Sequence, residues 1–483
     1  MNCLSRRSLW ILVAALVSSP ILAANRLPNV VVILADDMGY GDPKCYNAQS
    51  KTPTPNIDRL AAEGIRFTDA HSAGATCVPT RYGLLTGRYP LRVRAREWRR
   101  RALINEKRWT VASLLKRAGY GTAMIGKWHL GFEGGPDYDY TRRLGGGPVD
   151  RGFDDYFGIP HSLDIQPYYY IRGDRAESPP TVDVAANQSP GWTRIQGKFW
   201  RAGKMSKEFF HADVLPRLTL EAVRYVESHT RRRPEQPFFL YFALPAPHTP
   251  WLPSREFVGR SQASLYGDFV AMVDAAVGEL LRALQAHGAE DNTLVIFTSD
   301  NGPVWYEEDV KRFEHASVGD LRGMKGDAWE GGHRIPFVAR WPGRIAPQGA
   351  SDALISQVDL MATLAEIVGA PLPRGEGIDS ISFLPTLVGH ESRSPRRQSL
   401  VVQSRAMVVR RGPWKLIPQL GSAGFSEPRR VKPVSGGPTG QLYNLATDLS
   451  ETRNLWQEQP QVVAQLQSVL KAYRALEHTD ETP

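Results

Sequence analysis

Two acidic pairs are the residues in this sequence best suited to holding a metal ion. Asp36-Asp37 and Asp300-Asn301 each directly follow a run of apolar residues. Three carboxylates and an amide oxygen in one place repel one another unless a cation lies among them. Hard oxygen ligands favour calcium or magnesium over zinc. The alternative for either pair alone is a turn or a helix cap, since Asp and Asn favour both.

Cys77 is the candidate reactive side chain, in the string Cys77-Val-Pro79-Thr-Arg81. Pro79 suits the first turn of a helix and Gly87 suits its end, so Cys77 is predicted at a helix N-terminus, where an anionic group is favoured. Arg81, four residues on, returns over the same face. The alternatives are a buried structural cysteine, or a disulfide with Cys45.

The elements that must position these residues alternate along the chain. Continuous apolar runs, typical of strands buried on both faces, alternate with helical stretches. We therefore predict an α/β domain with a mostly parallel sheet. Ligands bind beyond the carboxyl ends of such strands, so both acidic pairs point to one crevice. The predicted strands cover 29–34, 122–125, 238–244 and 294–299, and the predicted helices cover 111–118, 218–227 and 268–286.

The chain changes character near its end, where short strands and a closing helix indicate a small α+β subdomain with an antiparallel sheet. We predict three segments: a signal peptide at 1–24, a catalytic domain at 25–384 and a C-terminal subdomain at 385–483. The predicted C-terminal strands cover 399–409, 414–417 and 442–443, the closing helix covers 460–476, and the Gly- and Pro-rich stretches 142–147 and 172–200 are predicted surface loops.

The N-terminus indicates export. Arg6 and Arg7 precede the apolar run 9–17, and Ala23-Ala24 follows, as in a cleaved signal peptide. A membrane anchor is the alternative, but the apolar run is short for a span. We expect a periplasmic or secreted protein, lysosomal-type if eukaryotic, without a stable membrane anchor. The export route, Sec or twin-arginine, stays open.

Composition limits the classes of function. With 483 residues and 42% hydrophobic residues, the chain can bury a large core in more than one structural unit. A charged fraction of 23% and 10% aromatic residues are ordinary for a globular protein and argue against global disorder. The net charge of +9 suits an anionic substrate, nucleic acid or plain solubility. The sequence has no zinc-finger spacing, RNP-type string or basic heptad region, so we predict no nucleic-acid partner.

The string Cys77-x-Pro-x-Arg81 with a downstream Leu-Thr-Gly-Arg88 resembles the signature of the type I, formylglycine-dependent sulfatases. The resemblance covers most of the chain and is strongest to the arylsulfatase A and N-acetylgalactosamine-6-sulfatase group. It implies a sulfuric ester hydrolase with an alkaline-phosphatase-like α/β fold, in which helices flank a large, mostly parallel sheet. The other matching motifs, in the family's order, are Asp36-Asp37-Met-Gly, Gly126-Lys127-Trp-His129-Leu, Gly152-Phe, Tyr156-Phe-Gly158, Pro247-His248, Ser299-Asp300-Asn301-Gly302, Lys325 and Glu330-Gly-Gly.

The resemblance also implies roles for individual residues. Cys77 would be oxidised to formylglycine by a dedicated maturation enzyme that reads the Cys-x-Pro-x-Arg core. Arg81 would hold the hydrate of that residue. The calcium ligands would be Asp36, Asp37, Asp300, Asn301 and an oxygen of the modified Cys77. The catalytic residues would be Cys77, Arg81, Lys127, His129, His248 and Lys325, and the substrate would contact Lys127, His248, Lys325 and Ser162.

These residue types fit hydrolysis of a sulfate monoester, on a sulfated carbohydrate or an aryl sulfate. The sulfate oxygens need positive charge around them as the bond to the leaving oxygen breaks. One hydroxyl of the hydrated aldehyde would attack, with Asp300 as a plausible base, and His248, assisted by Lys325, would protonate the leaving alcohol. The second hydroxyl, deprotonated by His129, would expel sulfate. Lys127 and His129 are two residues apart just beyond a strand, so both can face the crevice.

Two other functions stay open. The first is a phosphodiesterase or phosphonate hydrolase of the same superfamily. A dianionic phosphate would require a more cationic site or a second metal, and the sequence has no second full ligand set. The second is a non-catalytic glycan-binding homologue, which the intact set of site residues argues against.

Two groups of residues outside the motifs are further candidates for substrate contact. The stretch 92–108 is dense in arginine and contains Trp98. It could hold a second sulfate of a polyanionic glycan or form a solvated helix face, which we favour. The aromatic candidates for stacking on sugar rings, each with core packing as the default, are Tyr168, Tyr169, Tyr170, Trp192, Trp251 and Trp305.

Overall fold

The structure is a computed structural model that describes residues 26–135, 138–193, 195–390 and 397–480. The predicted signal peptide at 1–24 lies outside these residues. Among the helices of the described residues, none is both long enough and apolar enough to cross a membrane.

Strands and helices are numbered here in chain order. The strands are β1 (Asn29–Asp36), β2 (Ile65–Phe67), β3 (Ala70–His71), β4 (Gly121–Lys127), β5 (Asp155–Ile159), β6 (Ile171–Arg172), β7 (Arg175–Ala176), β8 (Val182–Val184), β9 (Gly203–Met205), β10 (Phe238–Pro247), β11 (Thr293–Ser299), β12 (Phe337–Arg340), β13 (Gly349–Ser351), β14 (Ile355–Ser356), β15 (Ser399–Gln403), β16 (Met407–Arg411), β17 (Trp414–Ile417) and β18 (Gln441–Asn444). The α-helices are α1 (Pro55–Ala62), α2 (Cys77–Thr86), α3 (Val111–Arg117), α4 (Val214–Arg232), α5 (Ser264–Ala286), α6 (Glu307–Phe313), α7 (Leu360–Ile367), α8 (Leu384–Leu387) and α9 (Pro460–Arg474).

A ten-stranded mixed sheet runs through the centre of the protein, in the order β13-β2-β12-β11-β1-β10-β4-β5-β6-β7. Its core is parallel: β1 lies between β10 and β11, and β4 lies between β10 and β5. Every residue of β4, β10 and β11 is buried, which explains why their sequences are continuous apolar runs. The predicted α/β fold with a mostly parallel sheet is confirmed.

Helices cover both faces of this sheet, and the alternation of side chains along β1 shows how. Val30, Val32 and Leu34 face one core, together with residues of α2, α3 and α7. Val31 and Ile33 face the other core, together with residues of α1, α4 and α5. Successive side chains of a strand point to opposite faces, so a run that is apolar throughout requires a helical layer on each side.

The C-terminal part forms a four-stranded antiparallel sheet, β15-β16-β17-β18, against which α9 packs. One expectation was wrong: the predicted strand at 399–409 is two strands, separated by a turn at 404–406. The Ser404 hydroxyl accepts a hydrogen bond from the Ala406 amide at 3.1 Å. A serine that bonds the backbone two residues on favours a turn over a continuous strand.

Backbone hydrogen bonds place this turn beside the N-terminus of α2. The Gln403 amide donates to the Ala73 carbonyl at 3.1 Å, and the Ala75 amide donates to the Gln403 carbonyl at 2.9 Å. A buried ion pair reinforces the attachment of the subdomain, since Lys415 of β17 lies 2.8 Å from a carboxylate oxygen of Glu330. The C-terminal sheet therefore contributes residues to the surroundings of Cys77.

The predicted surface loops are partly right. The stretch 142–147 contains no strand or α-helix, as expected. The stretch 172–200 is more regular than predicted, because β6 ends inside it and β7 and β8 lie within it. These strands are only two or three residues long, too short to produce a periodic pattern of apolar residues.

Candidate active site

The two acidic pairs meet at the carboxyl edge of the sheet. Asp36 ends β1, and Asp300 follows the neighbouring parallel strand β11. The Asp37 amide donates to Asp300 Oδ1 at 3.2 Å, and Asn301 Nδ2 donates to Asp37 Oδ1 at 2.7 Å. All four side chains are at most 2% exposed. Asp37 also has a φ of 67°, a conformation that costs energy in a non-glycine residue and is found at functional sites.

Burial shapes the charge of this acidic cluster. Burial, together with the neighbouring Asp36, raises the pKa of Asp300 to about 6. Burial also opposes ionisation of Asp36, but Lys127 and the other nearby cations hold the pKa of Asp36 well below its usual range. The carboxylates thus depend on positive charge for their ionisation, and a bound cation would supply more of it.

The donor set fits a hard cation. Oxygens of Asp36 and Asp37 lie within 4.8 Å of one another and of Cys77 Sγ and a nitrogen of His248. Asn301 Oδ1 is buried and receives no hydrogen bond from any described residue. An unpaired buried acceptor costs about 1–3 kcal/mol, which coordination to a cation would recover. Carboxylate and amide oxygens are the ligands that calcium prefers.

Cys77 begins α2, and Gly87 ends the helix with a φ of 62°, as predicted. Cys77 Sγ lies 3.3 Å from Asp36 Oδ1 and 3.5 Å from Lys325 Nζ. Burial above all, with Asp300 and Asp36, raises the pKa of the thiol well above its usual value. The unmodified thiol therefore stays protonated and is a poor nucleophile. Cys77 and Cys45 are both free, so the alternative of a disulfide between them is not formed.

Arg81 and Lys127 lie beneath the acidic cluster rather than beside a cavity. Arg81 Nη2 donates to Asp300 Oδ2 at 2.9 Å, and its Nη1 donates to the Lys127 carbonyl at 2.8 Å. The Lys127 ammonium pairs with Asp36. Neither side chain is exposed to solvent. Their charges support the carboxylates from below.

His129 lies two residues beyond Lys127, the last residue of β4, and has a φ of 59°. Its Nδ1 atom is buried without a hydrogen-bond partner among the described residues, and its ring packs edge-on against Trp98, with centroids 4.5 Å apart. Burial, then Lys127 and Arg81, lower the pKa of His129 well below its usual value. The imidazole is therefore neutral and can accept a proton.

His248 and Lys325 approach the acidic cluster from the opposite side. His248 Nδ1 lies 2.6 Å from the Thr249 carbonyl. A carbonyl only accepts, so Nδ1 carries a proton and Nε2 is left to face Asp37, at 3.6 Å. Lys325 Nζ lies 2.7 Å from Asp37 Oδ2. Its loop is held by hydrogen bonds from the Lys325 amide to the Pro303 carbonyl, at 2.8 Å, and from the Gly326 amide to the Ala75 carbonyl, at 2.7 Å.

A cavity of about 430 Å³ opens above these groups. The predicted site residues that line it are Asp37, Cys77, His129, Ser162, His248 and Lys325. The remaining ones, Asp36, Arg81, Lys127, Asp300 and Asn301, are buried beneath it. The structure thus brings every predicted site residue into one region, in which buried charged residues lie under an open cavity.

The stretch 92–108 differs from our preferred interpretation, a solvated helix face. It forms short 3-10 turns at Pro90–Arg92 and Ala95–Arg99, and Arg92 is buried in an ion pair with Asp379. Trp98, with the neighbouring Arg96 and Arg99, lines the cavity. Arginine density and a tryptophan were the signals that made this stretch a candidate for substrate contact.

Two other lining residues had no signal in the sequence: Arg405, in the turn between β15 and β16, and Phe425. The predicted sugar-stacking aromatics behave differently. Tyr168, Trp251 and Trp305 are buried in a hydrophobic core and do not line this cavity. Core packing, the default for these residues, describes their environment.

Comparison with known proteins identifies the class of enzyme. A protein-family model described as Sulfatase matches residues 28–370. N-acetylgalactosamine-6-O-sulfatase of Bacteroides thetaiotaomicron is 33% identical over 92% of this chain and 93% of its own length. Human arylsulfatase A is 38% identical over 78% of this chain and 70% of its own length.

The fold agrees with these relatives. A solved structure from work on the metabolism of multiple glycosaminoglycans by Bacteroides thetaiotaomicron has 32% sequence identity and superimposes with a TM-score of 0.81. The match covers 93% of this chain and all of that one. The architecture is the alkaline-phosphatase-like α/β fold of a sulfuric ester hydrolase. The chain belongs to the sulfatase family.

Proposed function

We propose that this enzyme hydrolyses sulfate monoesters of carbohydrates, with a formylglycine formed from Cys77 and a bound calcium ion. The position of Cys77 is the observation that supports this most. Its sulfur lies among the carboxylate oxygens of Asp36 and Asp37. A soft thiol is a poor match for a hard-oxygen ligand set, and an oxygen-bearing residue at position 77 would remove the mismatch.

The names of the relatives suggest the substrate class. One similar protein is an N-acetylgalactosamine-6-O-sulfatase, and another structure comes from work on glycosaminoglycans. A sulfated carbohydrate is therefore the substrate we propose. A maturation enzyme that oxidises Cys77 is the partner we propose, and export to the periplasm or medium is the proposed location.

The residues that would hold calcium are Asp36, Asp37, Asp300, Asn301 and an oxygen of the modified residue 77. Calcium bound there supplies a Lewis acid that polarises an oxygen and stabilises developing negative charge. Hydrated formylglycine would supply two hydroxyls on one carbon, one as the nucleophile and one as the group that drives the release of sulfate.

The chain's own residues carry the charge and the protons. Lys325 at the cavity wall, and Arg81 and Lys127 beneath it, offer positive charge to the sulfate oxygens. His248 lines the cavity and, as an imidazolium protonated on both nitrogens, donates the Nε2 proton to the leaving oxygen. His129 is neutral, its Nδ1 has no hydrogen-bond partner among the described residues, and it accepts a proton when sulfate is expelled. Ser162 orients the ester by a hydrogen bond.

A direct test compares sulfate and phosphate esters. The protein is produced together with a formylglycine-generating enzyme and is assayed on nitrophenyl sulfate, N-acetylgalactosamine 6-sulfate, a phosphodiester and a phosphonate ester. We expect release of sulfate from the first two substrates. Faster hydrolysis of the phosphodiester or the phosphonate, without release of sulfate, would show that the related phosphodiesterase or phosphonate hydrolase activity is the correct one.

Metal dependence is a second expectation. Asn301→Ala removes one ligand of the proposed site and should raise the calcium concentration for half-maximal activity by about 10–100-fold. The measurement is a calcium titration of chelator-stripped protein, followed by activity and by calorimetry. Asn105→Ala, at an exposed position, is the control and should leave the midpoint unchanged. Full activity of the stripped wild type would rule out this role for the metal.

A further inference from the structure

We propose that a second anion-binding site lies at the mouth of the active-site cavity, formed by Arg96, Arg99 and Arg405. It would bind a carboxylate or a sulfate near the ester being cleaved, so that the substrate is an acidic oligosaccharide. This inference rests on the proposed function, because it assumes that a sulfated sugar occupies the floor of the same cavity.

Uncompensated positive charge is the first observation. Arg96, Arg99 and Arg405 are exposed and line the cavity. Within the part of the chain that the structure describes, none of the three forms an ion pair or a side-chain hydrogen bond. Arg99 lies over the Trp98 ring, 5.1 Å from its centroid, which keeps the guanidinium at the wall. Charges gathered without partners in a cleft attract an anion, and the cleft strengthens that attraction.

The acidic residues of the cavity wall do not neutralise these arginines. Asp37 is paired with Lys325, at 2.7 Å, and Asp164 is paired with Arg201. Both carboxylates are also buried, at 2% and 4% exposure. Their charges are therefore compensated locally, and the positive charge of the mouth is available to a ligand.

The arginines approach the cavity from two separate elements. Arg96 and Arg99 belong to the 3-10 helix Ala95–Arg99, whereas Arg405 lies in the turn between β15 and β16. The hydrogen bonds between Gln403 and the segment before Cys77 hold that turn at the cavity. A planar guanidinium can bind both oxygens of a carboxylate or a sulfate, so arginines on two walls suit an anionic substituent between them.

Neighbouring groups suit a sugar ring. Trp98 and Phe425 line the same cavity and present aromatic surface. Asp164 Oδ1 is buried and has no hydrogen-bond partner among the described residues, while its other oxygen pairs with Arg201. A sugar hydroxyl donating to this oxygen would satisfy an acceptor that otherwise costs about 1–3 kcal/mol.

The active-site cavity adjoins another cavity. A second cavity of about 360 Å³ shares Trp98, Arg99 and Ile165 with the first. Its wall includes the aromatic residues Phe132 and Tyr169. The shared wall places Arg99 beside both cavities, so the second anionic group belongs on the sulfated sugar or on its neighbour.

The test uses substrates that differ in one charge. The first is a disaccharide of N-acetylgalactosamine 6-sulfate and a hexuronate, and the second is the same compound with its carboxyl reduced to an alcohol. N-acetylgalactosamine 4,6-disulfate tests a second sulfate as the source of the charge, and nitrophenyl sulfate reports the proposed function alone. The matured full-length protein is used throughout, with kcat and KM measured separately.

We expect the wild type to prefer the acidic disaccharide or the disulfate over its singly charged counterpart. In the triple variant Arg96→Gln, Arg99→Gln, Arg405→Gln, KM for the doubly charged substrate should rise by about 10–30-fold, with kcat little changed, since several exposed charge-assisted bonds are lost together. The carboxyl-reduced disaccharide and nitrophenyl sulfate should change by less than about threefold. The substrate that shows the larger effect, the acidic disaccharide or the disulfate, identifies the anion as a carboxylate or a sulfate.

Arg100→Gln and Arg430→Gln are the matched controls, because both arginines are exposed and neither lines the cavity. Equal KM values for the acidic and neutral disaccharides in the wild type, or equal losses in the controls and the triple variant, would overturn the inference. Hydrolysis of nitrophenyl sulfate without hydrolysis of any acidic sugar would overturn it too, and would leave the sulfatase activity standing. Absence of sulfate release from every substrate would overturn both.

Discussion

Cys77→Ser should lower steady-state turnover by roughly 10⁴-fold or more, the largest effect expected of any single substitution here. Serine offers one hydroxyl, so it can attack a sulfate ester but has no second hydroxyl on the same carbon to drive sulfate out. Release of nitrophenol from nitrophenyl sulfate should therefore stop at no more than one equivalent per enzyme. A burst measurement with enzyme at high concentration distinguishes this from slow turnover.

Cys45→Ser is the matched control for the same chemistry. Cys45 is half-buried, packs against the hydrophobic core that contains Val31 and Ile33, and does not line the cavity. Its replacement removes a thiol without touching the site, and turnover should stay within about twofold of the wild type. Loss of activity in both variants would indicate a general sensitivity to cysteine substitution rather than a role for residue 77.

The modification of residue 77 can be detected by the chemical reactivity of the peptide that carries it. In a matured preparation, the peptide that carries residue 77 should resist thiol alkylation and react with a hydrazide, whereas the Cys45 peptide should alkylate after unfolding. The first outcome depends on an aldehyde at position 77. An active preparation in which residue 77 is entirely unmodified cysteine would refute the formylglycine proposal.

The central part of the fold was predictable because its physical signals are local. A strand such as β1, buried on both faces, must be apolar along its length, and the polar residues Asp36 and Asp37 then mark its end. The ligand-binding edge of a parallel sheet follows from topology alone, so the meeting of Asp36 with Asp300 could be anticipated from two strand ends.

The rim of the cavity was not predictable in the same way. Arg405 reaches it only because 399–409 breaks into two strands, and because β15 pairs with the segment that leads into α2. The second is a tertiary contact over more than 300 residues of sequence, as the bond between Gln403 and Ala73 shows. The buried position of Lys127 is of the same kind: strand-end spacing placed it near the crevice, but its pairing with Asp36 determines that it lies under the floor.

His248→Ala should separate substrates by the quality of their leaving group. A sugar alkoxide is a poor leaving group and needs a proton in the transition state, whereas a nitrophenolate needs little help. General acid catalysis typically contributes roughly 10²- to 10⁴-fold, so turnover of the carbohydrate sulfate should fall by that factor while much of the activity on nitrophenyl sulfate remains. KM should change less than kcat, because the proton moves only as the bond breaks.

The geometry of His248 is the reason to expect that its loss affects the two substrates differently. The hydrogen bond from Nδ1 to the Thr249 carbonyl fixes the ring and leaves Nε2 as the atom that can deliver a proton into the cavity.

Lys127→Ala is the contrasting variant. The charge of Lys127 acts on the buried carboxylates and on the sulfate, which both substrates share, so both activities should fall alike. The two variants are compared on both substrates at matched calcium loading and formylglycine content. Equal losses on the two substrates for His248→Ala would show that this histidine binds sulfate or supports Asp37 instead of acting as the acid.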